Sequence, residues 1–213
     1  QLCGENTMDK GKLIVIEGPD GSGKATQASR LLQNLQKTGL QVLQVTFPNY
    51  ESPSSALVKM YLDGEFGTRP QDVNPYAASS FYAVDRYAGY RQFWEKAYHN
   101  GKVNLADRYT TSNAVYQLTK TQRENWDVFL DWLEDYEYGK LQLPRPDLVL
   151  YLDMPVQVSQ KLMTQRYGGD EGKKDLHEKN GDFLIHCRQS ALYAAKRWGW
   201  KVIPCAQGEA PRT

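Results

Sequence analysis

The sequence predicts an α/β fold, with a central parallel sheet of about five strands covered by helices on both faces. Three observations lead there. Near-continuous apolar runs of strand length alternate with stretches that carry apolar residues at helical spacing. A glycine-rich loop, Gly18-Pro19-Asp20-Gly21-Ser22-Gly23-Lys24, joins the first apolar run to the first helical stretch. Charged residues collect just past the ends of the apolar runs, where open parallel sheets bind their ligands.

Each element follows from local chemistry. Leu13–Glu17 is the first strand and feeds the glycine loop. Thr26–Thr38 is a helix with Leu31, Leu32 and Leu35 on one face, ended by Gly39. Gln41–Phe47 is a strand closed by Pro48, and Ser54–Leu62 is a short helix that stops near Gly64. Asn74 caps, and Pro75 opens, a long aromatic-rich helix that runs to about Asn100 and stops at Gly101. Val103–Ala106 is the third strand and runs into Asp107-Arg108-Tyr109. One helix starts near Ser112 and another covers Arg123–Glu137. Asp147–Asp153 is an apolar strand, Val156–Arg166 and Phe183–Trp198 are helices, and Lys201–Pro204 is the last strand. Residues 166–180 are rich in glycine and charge, lack apolar periodicity, and read as a mobile lid. Neither an internal repeat nor a second domain is visible, so residues 1–213 read as a single P-loop domain.

Bulk properties narrow the function. A chain of 213 residues can bury a core of its own. The net charge of +1 gives no broad field for nucleic acid. No apolar run reaches the length of a membrane span. Cys3, Cys187 and Cys205 show no paired metal-ligand spacing and read as reduced thiols of a cytoplasmic protein. Gln1–Thr7 lack the features of a secretory signal, and Met8 reads as a natural start, so residues 1–7 are set aside from the fold.

The loop carries the chemistry. Gly18, Gly21 and Gly23 let the backbone curl so that its N–H groups converge, and a helix then begins with its positive dipole end aimed at the same spot. Lys24 adds a point charge for the outer phosphates, so the stretch formed by Gly18, Asp20, Gly21, Ser22, Gly23, Lys24, Ala25 and Thr26 is expected to bind a nucleoside triphosphate. One position departs from the motif. Ala25 stands where Ser or Thr would offer a hydroxyl to Mg²⁺, and Thr26, rotated about 100° further round the helix, is no simple substitute. Mg²⁺ keeps several waters in most sites, so phosphate oxygens, waters and a carboxylate such as Asp107 suffice. Arg108 is placed to bridge donor and acceptor phosphates. Tyr82 and Arg86 share a face of the Pro75 helix, where a buried guanidinium needs acceptors and a base carbonyl is one candidate. His99, His177 and His186 have no partner at catalytic spacing and read as structural.

Taken in order over Lys12 to Pro211, these segments resemble the thymidylate kinases, which phosphorylate dTMP to dTDP. The resemblance rests on Gly18 to Lys24, Phe47-Pro48, Phe81-Tyr82-Ala83-Val84-Asp85-Arg86, Asp107 to Gln117, and Pro146-Asp147-Leu148-Val149-Leu150-Tyr151-Leu152-Asp153. It implies ATP and Mg²⁺ as co-substrate and cofactor, a role in dTTP synthesis for DNA, and a homodimer. It implies that Asp20 bonds the 3′-hydroxyl of the acceptor sugar and that Tyr82 stacks on thymine. Arg86 would reach the thymine O4, with Ser112 and Asn113 near the base edge. Tyr116 would lie under the deoxyribose, and Arg108 would clamp both phosphates with Asp107 as its acidic neighbour. Phe47 and Pro48 border the same dTMP site. Asn49 and Tyr50 stand where many members carry an arginine for the acceptor phosphate, and Tyr50 matches a tyrosine of some bacterial members. Positions 19 to 22 hold no basic residue, so the lid, with Arg166, Lys173, Lys174 and Lys179, is expected to supply that charge. The segment around Ala206-Gln207-Gly208 is the candidate adenine contact, and the family pattern runs on into a further helix where this sequence stops at Thr213.

Other readings place the loop in different chemistry. A deoxynucleoside kinase would need a carboxylate base for the 5′-hydroxyl, for which Glu17 is the candidate. A GTP-dependent switch would want an Asn-Lys-x-Asp motif, which is missing from the sequence. A non-catalytic nucleotide-binding module is favoured only by Ala25.

Overall fold

The computed structural model describes residues 10–166, 168, 181–208 and 210–212. Strands β1 (Lys12–Glu17), β2 (Val42–Thr46), β3 (Val103–Asp107), β4 (Leu148–Asp153) and β5 (Lys201–Pro204) form one sheet in the order β2-β3-β1-β4-β5. Every pairing is parallel, with Lys12 opposite Val103, Ile14 opposite Leu148 and Leu150 opposite Lys201. The expected fold class is therefore the observed one.

Burial on both faces explains the continuous apolar character of the strands. Side chains alternate along each strand, so Leu13 and Val15 of β1 enter one core while Ile14 and Ile16 enter the other. The larger core meets residues of α5 (Thr110–Gln117), α6 (Trp126–Glu134) and α8 (Gly181–Trp198). The smaller one meets Ala28, Leu31 and Leu32 of α1 (Lys24–Lys37). After β1 the chain builds β2 and β3 on one side and β4 and β5 on the other. That reversal opens a crevice beyond the carboxyl ends of the central strands, where the loops of β1 and β3 meet.

The long aromatic helix begins as read, with the Asn74 side chain accepting from the Ala77 N–H. It is not uniform: α3 (Pro75–Gly89) passes through a π-helical turn, Tyr90–Trp94, into α4 (Glu95–His99). The helix α6 likewise runs into a π-helical turn, Asp135–Lys140. Such turns insert one residue and re-aim the side chains beyond them, which apolar spacing alone does not reveal. The helix expected near Ser112 starts two residues earlier, at Thr110. The short helix α2 (Ala56–Leu62) and α7 (Val156–Arg166) lie where expected, while the ribbon of β6 (Ala206–Gln207) and β7 (Ala210–Pro211) was not foreseen. The lid residues Lys173, Lys174 and Lys179, together with His177, Cys3 and residues 1–7, lie outside the described residues.

Candidate active site

The glycine loop is built by its backbone. Gly23 sits at φ 85° as the residue before α1, a left-handed conformation that a side chain would strain. Gly21, at φ 78°, packs so closely on α7 that a Cβ there would lie 2.5 Å from the Ser159 carbonyl oxygen. No side chain caps α1, and its first turn holds no acidic residue, so its N–H groups and positive end are left for an anion. Lys24 is buried, with Nζ donating to the Pro19 carbonyl at 3.0 Å and lying 3.5 Å from Asp20 Oδ1. Burial and the nearby Arg108 push its ammonium pKa down, against the pull of Asp20, Glu17 and Asp107. Such a lysine gains from any further negative charge brought to it.

Across the loop stands Arg108, at φ 64°, a backbone conformation rare for a residue with a Cβ. Its Nη2 donates to Asp20 Oδ1 at 2.8 Å and its Nη1 to Glu17 Oε1 at 3.1 Å, while its guanidinium lies 5.3 Å from the Tyr116 ring centre. Burial opposes the charge of Asp20, but Arg108 and Lys24 beside it hold the carboxyl well below its usual range. Glu17 is fully buried and accepts from the Gly18 N–H, the Thr111 and Ser112 hydroxyls and Arg108. Its lone pairs are spent, so it is not free to act as a base. Its work is to hold Arg108.

These groups open on one cleft of about 700 Å³. Of the residues that the sequence marks, Asp20, Gly21, Gly23, Lys24, Ala25, Thr26 and Asp107 line its loop end, with Arg108 beside them. Phe47, Pro48, Tyr50, Tyr82, Arg86, Ser112, Asn113 and Tyr116 line the rest, and Arg166 stands at its rim on the last turn of α7. Gly18 and Ser22 do not line it: they shape the loop from beneath, where a Cβ on Gly18 would meet the Ser22 hydroxyl at 2.9 Å. Asp85 fixes the chain after Pro48, accepting from the Asn49 N–H and the Ser54 hydroxyl.

Arg86 lines the cleft and also has a protein partner that the sequence does not show. It is almost wholly buried, and its acceptors come from Glu137, with Nε at 2.6 Å from Oε2 and Nη2 at 2.9 Å from Oε1. Of its five N–H groups, the two on Nη1 and the second on Nη2 are left over. Asn113 is tied to the same carboxylate, so its amide nitrogen does not meet a base edge as a free donor. Sequence reading missed Glu137, 51 residues from Arg86. It also missed Gln117, which borders the cleft, is fully buried, and leaves both amide atoms unpartnered among the described residues. His99 meets the Tyr90 hydroxyl at 3.3 Å, in keeping with a structural role.

Among the described residues no group of three or more His, Cys, Asp or Glu is placed to hold a metal by itself. The fit to a hydrated Mg²⁺ is nonetheless good. The Asp107 carboxylate borders the cleft without a hydrogen-bond donor among the described residues, and burial pushes its pKa up. A desolvated acceptor of this kind suits metal-bound waters.

A glycine loop at the carboxyl edge of a parallel sheet, facing an arginine anchored on the buried Glu17 and on Asp20, defines a phosphate-handling protein of the P-loop class. Residues 16–210 match the thymidylate kinase family. The chain is 30% identical over 198 residues to the thymidylate kinase of Mycobacterium tuberculosis, covering 90% of each chain. It is 30% identical over 202 residues to that of Prochlorococcus marinus, covering 93% of this chain and 87% of that one. Among solved structures, thymidylate kinase from Candida albicans superposes with a TM-score of 0.67 over 96% of this chain and 86% of that chain, at 23% identity, a likeness of fold. The chain belongs to the thymidylate kinase family. No helix among the described residues is long and apolar enough to cross a membrane.

Proposed function

We propose that this enzyme transfers the terminal phosphoryl group of ATP to dTMP, forming dTDP for dTTP synthesis, in the cytoplasm and as a homodimer. The observation that carries the reading is a single cleft shared by the glycine loop and the Tyr82–Arg86–Asn113 wall, with Arg108 between them. A donor triphosphate at one end and a nucleoside monophosphate at the other would meet at Arg108.

Transfer of this kind asks the protein for in-line placement and neutralisation of charge, with little covalent chemistry. The loop amides and Lys24 hold the donor phosphates. Arg108, kept in place by Glu17, faces the oxygens of the group in transit. Asp20 orients Arg108 and accepts from the acceptor sugar, and Arg166, at the rim of the cleft, adds positive charge. Tyr82 stacks on the base, with Tyr116 below the sugar and Tyr50, Phe47 and Pro48 beside them. Mg²⁺, when bound, neutralises phosphate charge, and Asp107 would hold it through water in the place of the hydroxyl missing at Ala25.

Thymidine as acceptor would need a carboxylate base for its 5′-hydroxyl. Glu17, the candidate, has all its acceptor positions taken. The dimer reading rests on Val84, Tyr87 and Phe93, apolar and exposed along the α3 helix and its π-helical turn.

A coupled assay of ADP release with dTMP, thymidine or no acceptor, each with and without Mg²⁺, tests the proposal. ADP should appear with dTMP and metal only. Thymidine turned over as fast as dTMP, or ADP formed without acceptor, would overturn it.

A further inference from the structure

We propose that Glu137, which does not border the cleft, sets which base the acceptor site takes, by fixing the polarity of Asn113 and the aim of Arg86. The inference rests on the reading that these two residues meet the base edge. Glu137 is fully buried in the π-helical turn Asp135–Lys140. Its Oε1 accepts from Asn113 Nδ2 at 2.8 Å as well as from Arg86 Nη2, and Asn113 Nδ2 also donates to the Ser79 carbonyl at 3.1 Å.

Both of those partners only accept. Turning the Asn113 amide over would set its oxygen against a carboxylate and a carbonyl, so the orientation is dictated. Both Nδ2 hydrogens are used, and the group left for the cleft is Oδ1, an acceptor. Arg86 gives Nε–H and one Nη2–H to Glu137, and every N–H it keeps is a donor. Its guanidinium also lies 5.5 Å from the Tyr109 ring centre and 6.0 Å from that of Phe47, which limits its swing. Beside them Gln117 can present either end of its amide and so adds no polarity of its own.

A fixed donor next to a fixed acceptor matches a ring carbonyl next to a ring N–H, the edge of thymine or uracil. Cytosine offers an amino group next to an unprotonated nitrogen and meets both groups with the wrong sign. The discrimination comes from the carboxylate behind the pair. A glutamine at position 137 replaces one of those acceptor oxygens with a donor, which meets Arg86 with the wrong sign and leaves the Ser79 carbonyl alone to set the Asn113 amide.

Glu137→Gln should therefore lower the ratio of kcat/KM for dTMP over dCMP at least about tenfold, the effect of one buried polar group changing from unpaired to paired. KM for dTMP should rise more than kcat falls, and KM for ATP should stay put. A merely structural role would slow both acceptors alike and leave the ratio where it was. Glu137→Asp keeps the charge opposite Arg86 but draws back from Asn113, and should move the ratio the same way by about threefold. In the unmodified enzyme, dCMP and N3-methyl-dTMP should each compete with dTMP at least about tenfold more weakly than dTMP itself binds. An unchanged ratio in either folded variant, or N3-methyl-dTMP competing as well as dTMP, overturns the role of Glu137 and leaves the kinase reading intact. An unmodified enzyme that turns over dTMP no faster than dCMP removes both.

Discussion

Arg108 allows the sharpest test, because its side chain and its backbone make separable predictions. Removing the side chain takes away the charge that faces both the loop and the acceptor side of the cleft. Losing one such group where transition-state charge builds typically costs about 10²–10³ in rate, or about 2.7–4 kcal/mol. The loss should fall on kcat more than on KM, since the contact strengthens during transfer. Glu17 keeps three of its four donors, the Gly18 N–H and the Thr111 and Ser112 hydroxyls, so the fold should survive. The missing charged hydrogen bond costs about 1.5–3 kcal/mol of stability. The backbone adds a second axis. At φ 64° an alanine keeps the steric cost of the left-handed region, about 1–2 kcal/mol, while a glycine avoids it. Arg108→Gly should then melt roughly 2–4 °C above Arg108→Ala, about 1 kcal/mol in a domain of this size. Both should be equally slow. Coupled ADP release at saturating ATP and dTMP gives kcat, and thermal unfolding gives the stabilities. Turnover within tenfold of the unmodified enzyme in either variant would refute the phosphate role. Equal melting temperatures would refute the strain.

The remaining predictions concern the metal, the lid and pH. Ala25→Ser should lower the Mg²⁺ concentration for half-maximal rate by a few-fold, about 0.5–1.5 kcal/mol for one added hydrogen-bonding ligand; overlapping titration curves would mean that the hydroxyl is not limiting. Arg166→Ala should slow transfer by about tenfold or more through lost charge at the rim, whereas an unchanged kcat would leave that part of the cleft to exclude water only. Lys120, whose Nζ donates to the Tyr61 hydroxyl and the Val73 carbonyl, has its pKa pushed down by burial from 10.5 to about 7. Between those values the unfolded chain holds the extra proton, so stability should rise with pH across that window and fall as pH drops toward about 7. Lys120→Met should flatten that rise in urea unfolding at about pH 7 and about pH 9; parallel curves for the two proteins would place the ammonium in water.

The sheet was legible because two-sided burial writes itself into sequence as continuous apolar runs, each broken by Gly, Pro or a turn to charged residues. Strands β3 and β4 fall within a residue of expectation for that reason. The π-helical turns were not legible. One extra residue in a helix changes which side chains face inward without changing composition, so the spacing does not tell the buried aromatics Tyr90 and Trp94 from the exposed Phe93. The ribbon of β6 and β7 is too short, at two residues a strand, for any period to register.

The site divides along the same physical line. Residues that touch a ligand lie in local patterns, since a loop of glycines or an Asp-Arg pair after a strand must be contiguous to work. The residues that hold them are distant: Glu17 is 91 positions from Arg108, and Glu137 is 51 from Arg86. A buried guanidinium must find acceptors, but the sequence does not say where on the chain they are. The consequence is mechanical as well as electrostatic. Each arginine gives two nitrogens to carboxylate oxygens and, held by them, presents the rest of its fork to the cleft in one direction. An arginine free to swing would have to be ordered by its substrate at the moment of binding, and that cost would come out of affinity. Two wholly buried carboxylates, unable to leave for water, meet it once, when the chain folds.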